Sequence, residues 1–329
     1  MNARTILFTD INTVAVGETE IPAPGPGEVL IEAEYSCVSP GTELRCLAGR
    51  QEGTPGWPFI PGYALAGRVI GCGPDTRTYV GTRVLCAGTG HASAHRMWGG
   101  HVSHAVQPET AVFPLPDGMD FLDAVVARLV AIAYHGLRLS HPQPHENVAV
   151  IGLGIIGQLS ARLHALTGAR VVAADLSPFR VEAARSAGIE AIVPGVELAE
   201  SMRGLLPDGA EVVVDATGLA AVLPEAIRIA RDLPYDDAPN QGARLLIQGS
   251  YAGEFTVPYQ AAFRKQLSIL LPRDRQPRDM RAALDVIHRG KLQVRDLVTR
   301  ICAPEEAPEV YAALRDPAAG LLTAVFRWR

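Results

Sequence analysis

The hydrophobic rhythm of the chain changes once, near residue 118. Before that point it is short and strand-like. Glu28-Val29-Leu30-Ile31-Glu32-Ala33-Glu34 alternates for most of its length, and Pro22, Pro24, Gly25, Pro26 and Gly27 mark a turn before it. Ala66–Ile70, Thr82–Leu85 and Gly99–Val106 repeat the style, each beside or around a glycine. Many short β segments at close spacing predict a barrel-like all-β unit over residues 1–118.

After residue 118 the period lengthens. Apolar positions recur at helical spacing from Asp120 to Leu139. Val148–Ile151 is wholly apolar, as the centre of a parallel sheet requires. It runs through a glycine turn into a predicted helix, Gln158–Leu166, which Gly168 closes before the strand Arg170–Ala174. Helix and strand then alternate to about residue 250, a doubly wound α/β pattern. A polar loop, Leu233–Gly242, interrupts it and is expected to be exposed. The last segment predicts a helix Met280–Arg289 stopped by Gly290, and a strand Leu321–Phe326.

Composition narrows the class. With 329 residues, 48% hydrophobic and 20% charged, the chain can bury a large core and is expected to form two domains. The net charge of −5 is spread along the chain with no lysine/arginine tract, which argues against nucleic acid or an anionic membrane as partner. No apolar run reaches the roughly 18 residues of a membrane span. The N-terminus lacks a basic patch followed by a long apolar core, so no signal peptide is expected. Five cysteines (Cys37, Cys46, Cys72, Cys86 and Cys302), an odd count without a CxxC pair, fit a reducing cytoplasm better than a disulfide framework.

The candidate chemistry centres on Gly152-Leu153-Gly154-Ile155-Ile156-Gly157, a GxGxxG motif between strand and helix. The first glycine permits the tight turn and the second lets a pyrophosphate approach the backbone. The third lets helix and strand pack closely, and the helix N-terminus offers free N–H groups to phosphate. Asp175 ends the next strand, about 20 residues on, where an acid accepts hydrogen bonds from the adenosine ribose. A carboxylate there repels a 2′-phosphate, so NAD is expected over NADP, a preference that nearby Arg180 weakens slightly. Val212–Gly218 and Leu245–Ser250 are further buried strands ending in small residues. They make Thr217, Gly218, Gly249 and Ser250 plausible contacts on the nicotinamide side, or ordinary strand-to-helix turns.

The order of parts resembles the medium-chain dehydrogenase/reductases. Pro24–Leu30 is similar to the family's early PxxGEVLV segment, Gly81–Val84 to its GDRV, Gly99–His104 to its GGxAEY and Gly290–Leu292 to a late GKL. The resemblance implies a GroES-like β-rich catalytic domain, residues 1–118 with 262–329, around a Rossmann domain, residues 119–261. It also implies nicotinamide-dependent redox chemistry on a small molecule, and a homodimer through edge-to-edge pairing of Rossmann sheets.

Many family members carry catalytic zinc, which needs three protein ligands and an open position. Here the matching stretches are Pro40-Gly41-Thr42-Glu43 and Gly62-Tyr63-Ala64. Proline, tyrosine and alanine stand where the resemblance implies cysteine, histidine and glutamate, and Cys37 lies too early to substitute. Only Cys86 remains of the region of the structural zinc's four cysteines, so no metal is expected. Ser39–Glu43 instead resembles zinc-free branches, including the bacteriochlorophyllide dehydrogenase type.

Without metal, some donor must stabilise the reacting oxygen or deliver a proton. Tyr63 is the first candidate, or else an aromatic that fills vacated space. Thr42 follows, as a hydroxyl the family uses at the reacting alcohol or its relay, then Glu43, which can equally be structural. His91, His95, His101 and His104 read as surface histidines of a polar loop rather than a metal site, and His135 as a packing or relay residue. No GxSxG elbow or Cys/His pair supports hydrolysis. The expected function is zinc-independent, NAD-linked interconversion of a secondary alcohol and a ketone. An NADPH-dependent enoyl or quinone reductase and a catalytically silent dinucleotide binder are the alternatives.

Overall fold

A computed structural model describes residues 1–235, 241–251 and 253–329. Residues 236–240, half of the Leu233–Gly242 loop, therefore lie outside the described residues. Two compact units divide the chain: Met1–Leu129 with Met280–Arg329, and Val130–Asp279.

The first unit is β-rich. A four-stranded sheet brings Asn2–Asp10 and Thr13–Glu20 together with the short strands Phe59–Ile60 and His95–Arg96. A seven-stranded sheet is organised on the long strand Glu28–Cys37, which pairs antiparallel with Leu65–Cys72, His104–Pro108 and Thr323–Arg327. The segment 101–103 hydrogen-bonds to both sheets: His101 O accepts from Ile6 N and Ser103 O accepts from Ala33 N. Their shared core includes Phe8, Phe59, Tyr311 and Phe326, all fully buried. Strand Glu28–Cys37 is longer than its alternating stretch predicts because partners on both edges satisfy its backbone to the end. One element departs from the all-β expectation: Pro40–Leu47 is a helix, with Pro40 in its first turn, where a missing N–H costs nothing.

The second unit holds a six-stranded parallel sheet in the order Glu190–Ile192, Arg170–Ala174, Asn147–Ile151, Val212–Asp215, Arg244–Ile247, Ser268–Leu270. In chain order this is 3-2-1-4-5-6, with the direction of winding reversing between Asn147–Ile151 and Val212–Asp215. Alternate residues serve opposite faces: Ala149, Ile151, Val172 and Val213 join one core, Val148, Val150, Val171 and Val214 the other. That two-sided burial is why these strands read as unbroken apolar runs.

The division of the chain falls later than the expected boundaries at both ends. The helix Phe121–Ser140 begins in the first unit, where Arg295 forks onto Asp123 with two 3.0 Å hydrogen bonds and Arg83 stacks on Phe121. Residues 262–279, expected with the C-terminal part of the β-rich domain, instead belong to the second unit, because Ser268–Leu270 adds the sixth strand to its sheet. Further on, Asp279 takes a 2.6 Å ion pair from Arg138 and a 3.0 Å contact from His135, so His135 packs as a buried partner of a carboxylate.

Candidate active site

In the second unit, the helix after the glycine turn runs Ile155–Ala165 and starts three residues earlier than the periodicity predicts. The glycines belong to the geometry. Gly152 sits at φ 86°, where a side chain is strained, and a Cβ on Gly157 would lie 1.7 Å from Gly152 O. Gly154 is the N-cap, no side chain caps the helix, and a Cβ there would meet open space. The turn thus presents bare backbone N–H groups at a helix N-terminus beside room for a phosphate.

Asp175 is held against this turn. Its carboxylate accepts from Leu153 N at 2.6 Å and from Ser177 N at 2.8 Å, and Arg180 Nη1 stands 3.6 Å away. Each carboxylate oxygen retains a further lone pair for a ribose hydroxyl. Across the winding reversal, the turns holding Thr217, Gly218, Gly249 and Ser250 are packed together: a Cβ on Gly249 would be 2.3 Å from Gly218 N. Their organiser was not singled out from the sequence. Asp215, fully buried, accepts from Thr217 N at 2.9 Å and Thr217 Oγ1 at 2.6 Å, and from the Tyr251 hydroxyl. Burial, then the Asp215 bond and charge, push the Tyr251 phenol above its ordinary value. An acid ending the apolar run Val212–Val214 was the available signal.

In the first unit, Tyr63 is buried and its hydroxyl donates to Ser39 Oγ. Burial raises the phenol's pKa, opposed by the positive charge of Arg128 and by hydrogen bonds with Ser39 and Thr42. Trp98 packs edge-on to the ring at 5.2 Å, and the Arg128 guanidinium lies 4.7 Å from the ring centre. Thr42 is half-buried on the same helix as Glu43.

Glu43 itself is fully buried in a closed network. One oxygen accepts from Ser39 N at 2.7 Å, the other from His101 Nε2 at 2.8 Å and from the Tyr311 hydroxyl at 2.5 Å. His101 Nδ1 meets Ser36 Oγ at 2.7 Å, which Trp328 Nε1 also reaches at 2.9 Å. His101 is therefore no surface histidine, against expectation. The segment joining the two sheets is interior, whereas His91 and His95 are exposed. Burial against the bare face of Gly62, where a Cβ would touch the imidazole at 2.6 Å, leaves the ring no solvent.

These residues do not fit a three-ligand zinc. Pro40 and Ala64 offer no ligand atom, the Tyr63 hydroxyl is engaged by Ser39, and a buried cation faces the ring. Among the described residues no group of three or more His, Cys, Asp or Glu side chains is placed to hold a metal ion.

Comparison with known proteins follows this architecture. The alcohol dehydrogenase GroES-like domain matches residues 25–117, and the zinc-binding dehydrogenase model matches residues 155–289. A 2-desacetyl-2-hydroxyethyl bacteriochlorophyllide A dehydrogenase of Cereibacter sphaeroides is 26% identical over 341 residues, covering 100% of this chain and 99% of its own. A probable D-xylulose reductase A of Arthroderma otae is 26% identical over 78% of each chain. An Escherichia coli alcohol dehydrogenase solved with NADH superposes with a TM-score of 0.86 at 20% identity, covering 99% of both chains. A zinc-binding dehydrogenase of Sinorhizobium meliloti solved with NADP does so at 0.86 and 23%, again over 99% of both chains. The fold, both family models and a relative aligned along the whole length agree, and the chain belongs to the medium-chain dehydrogenase/reductase superfamily, in its zinc-type alcohol dehydrogenase-like group.

Proposed function

We propose that this nicotinamide-dependent oxidoreductase interconverts a secondary alcohol and a ketone, with NAD as cofactor and without zinc. The observation that carries the reading is the setting of Tyr63: a phenol on a hydroxyl pair, Ser39 and Thr42, where a metal ligand set is lacking. The relatives support the reaction class, since a hydroxyethyl group is named in one and a ketose in another.

The Gly152–Gly157 turn, including Leu153, Ile155 and Ile156, would hold the pyrophosphate, Asp175 the ribose hydroxyls, and the Thr217–Gly218 and Gly249–Ser250 turns the nicotinamide end. When bound, the nicotinamide supplies or accepts the hydride. In the reducing direction Tyr63 gives its hydroxyl proton to the carbonyl oxygen, and the Ser39 or Thr42 hydroxyl passes a proton drawn from solvent back to the phenolate, ending unchanged; oxidation reverses the path. Glu43 works at one remove: by holding Ser39 N it fixes the segment that carries the relay.

Arg180 beside Asp175 favours a second reading, in which NADP is also accepted. We assign the exposed Tyr259, Phe263 and Leu271, near the edge strand Ser268–Leu270, to a homodimer contact. An assay of NADH and NADPH oxidation against ketone and enone panels tests the function. Turnover of ketones with NADH supports it, and turnover of enones alone with NADPH overturns it. Stoichiometric tightly bound zinc by elemental analysis would overturn the metal-free assignment.

A further inference from the structure

Arg128 is the only charged residue in the run Ala124–Ala133, a stretch of helix whose other side chains are almost all buried and apolar. Placing a cation there carries a desolvation cost that alanine would avoid. Arg128 is 6% exposed, and its guanidinium lies over the Tyr63 ring at 4.7 Å, within the range of a cation–π contact. A guanidinium keeps its charge at every working pH, so the site carries a permanent positive charge. A second cation bound at Tyr63 would sit against a like charge.

We propose that Arg128 is the positioning residue of Tyr63: its stacked guanidinium is the fixed positive charge that a metal would otherwise supply, and it holds the phenol ready to exchange a proton. This rests on the reading of Tyr63 as the proton-exchanging group. The chemistry follows from charge. Releasing the phenol proton leaves an anion, and a buried cation a ring's width away stabilises that anion more than the neutral phenol. The other groups facing Tyr63 do not supply this effect. Ser39 and Thr42 are neutral hydroxyls, Trp98 is uncharged, and Glu43 is an acid that opposes ionisation. Arg45 is a second cation that interacts with Tyr63 electrostatically, but the charge that chiefly favours the ionised phenol is that of Arg128, whose guanidinium lies over the ring. Arg128 is the leading favourable charge, the largest influence after burial itself.

The test replaces Tyr63 with 3,5-difluorotyrosine, whose ring fluorines bring the phenol into a pH range the fold tolerates, and follows its titration by 19F NMR in the full chain. Arg128→Met is expected to raise the midpoint by about 1 to 2 pH units, whereas Arg128→Lys, which keeps the charge, leaves it within a few tenths. An unmoved midpoint in Arg128→Met, or an equal shift in Arg128→Lys, overturns the proposal. If circular dichroism shows Arg128→Met unfolded, Arg128→Gln takes its place under the same criterion. Tyr63→Phe tests the underlying reading separately: full turnover with NADH removes Tyr63 from the reaction, an outcome distinct from a midpoint that ignores Arg128.

Discussion

The backbone N–H of Leu153, in the middle of the glycine turn, donates a 2.6 Å hydrogen bond to Oδ2 of Asp175. The acid at the end of one strand thereby fixes the turn at the end of its neighbour. Asp175→Ala should act twice: the turn loosens and the repulsion against a 2′-phosphate disappears. The expected outcome is a loss of NAD-over-NADP preference of at least tenfold, about 1.4 kcal/mol, measured as the ratio of Kd values for the two cofactors. An unchanged ratio would sink the ribose assignment.

Gly157 has no room for a side chain, since its Cβ would fall 1.7 Å from Gly152 O. Gly157→Ala must push helix and turn apart, at about 1–3 kcal/mol of stability. Cofactor affinity should fall further than stability alone explains, because the displaced helix N-terminus is the proposed phosphate site. Titration calorimetry with NADH reads this directly; wild-type affinity would remove the turn from the binding site.

The Glu43–His101–Tyr311 network is closed to solvent, so removing the carboxylate strands donors that nothing replaces. Glu43→Ala should cost about 3–5 kcal/mol in urea unfolding. His101→Ala should cost a similar amount, with the double substitution well short of the sum, because both changes break the same network. Additive losses would show that the two side chains act separately.

His164 is buried between Ser140 and Ser160, and burial lowers its pKa to about 4. The unfolded chain takes up a proton near the ordinary value of about 6.5, while the folded chain does not until far lower. Its contribution is therefore complete above the unfolded value and is lost as pH falls toward 4. The loss is on the order of 3 kcal/mol. Unfolding at pH 7 and pH 4.5 should show this slope in the wild type and a flatter one in His164→Gln. Equal slopes would place the acid sensitivity elsewhere.

All five cysteines are free, and burial pushes the thiols of Cys37, Cys46 and Cys86 up to about 12 and that of Cys302 up to about 11. Thiolates are the reactive form, so these four should resist alkylation at pH 8 until the chain unfolds. Mass spectrometry after brief native labelling should find modification at Cys72 alone. Rapid labelling of Cys46 would mean that the helix Pro40–Leu47 opens readily.

What the sequence determined by itself was local. The apolar run Val148–Ile151, the glycines after it and Asp175 one strand later lie within thirty residues. Their spacing encodes strand, turn and helix because backbone geometry is a short-range property. The motif order carried the family for the same reason, and the proline, tyrosine and alanine at 40, 63 and 64 spoke against zinc by what those side chains lack. Other features depended on which distant segments meet. Glu43, His101 and Tyr311 share one buried network across 268 residues of chain, and nothing local in His101 separates it from exposed His91 and His95. Ser268–Leu270 joins the parallel sheet because an edge was open to it, although its position near the C-terminal segment pointed elsewhere. Arg128 was not singled out from the sequence, where it is one charge in an apolar helix. Long-range packing set its guanidinium on Tyr63, and such packing follows from the summed burial of two sheets and a helix, which no single stretch of residues contains.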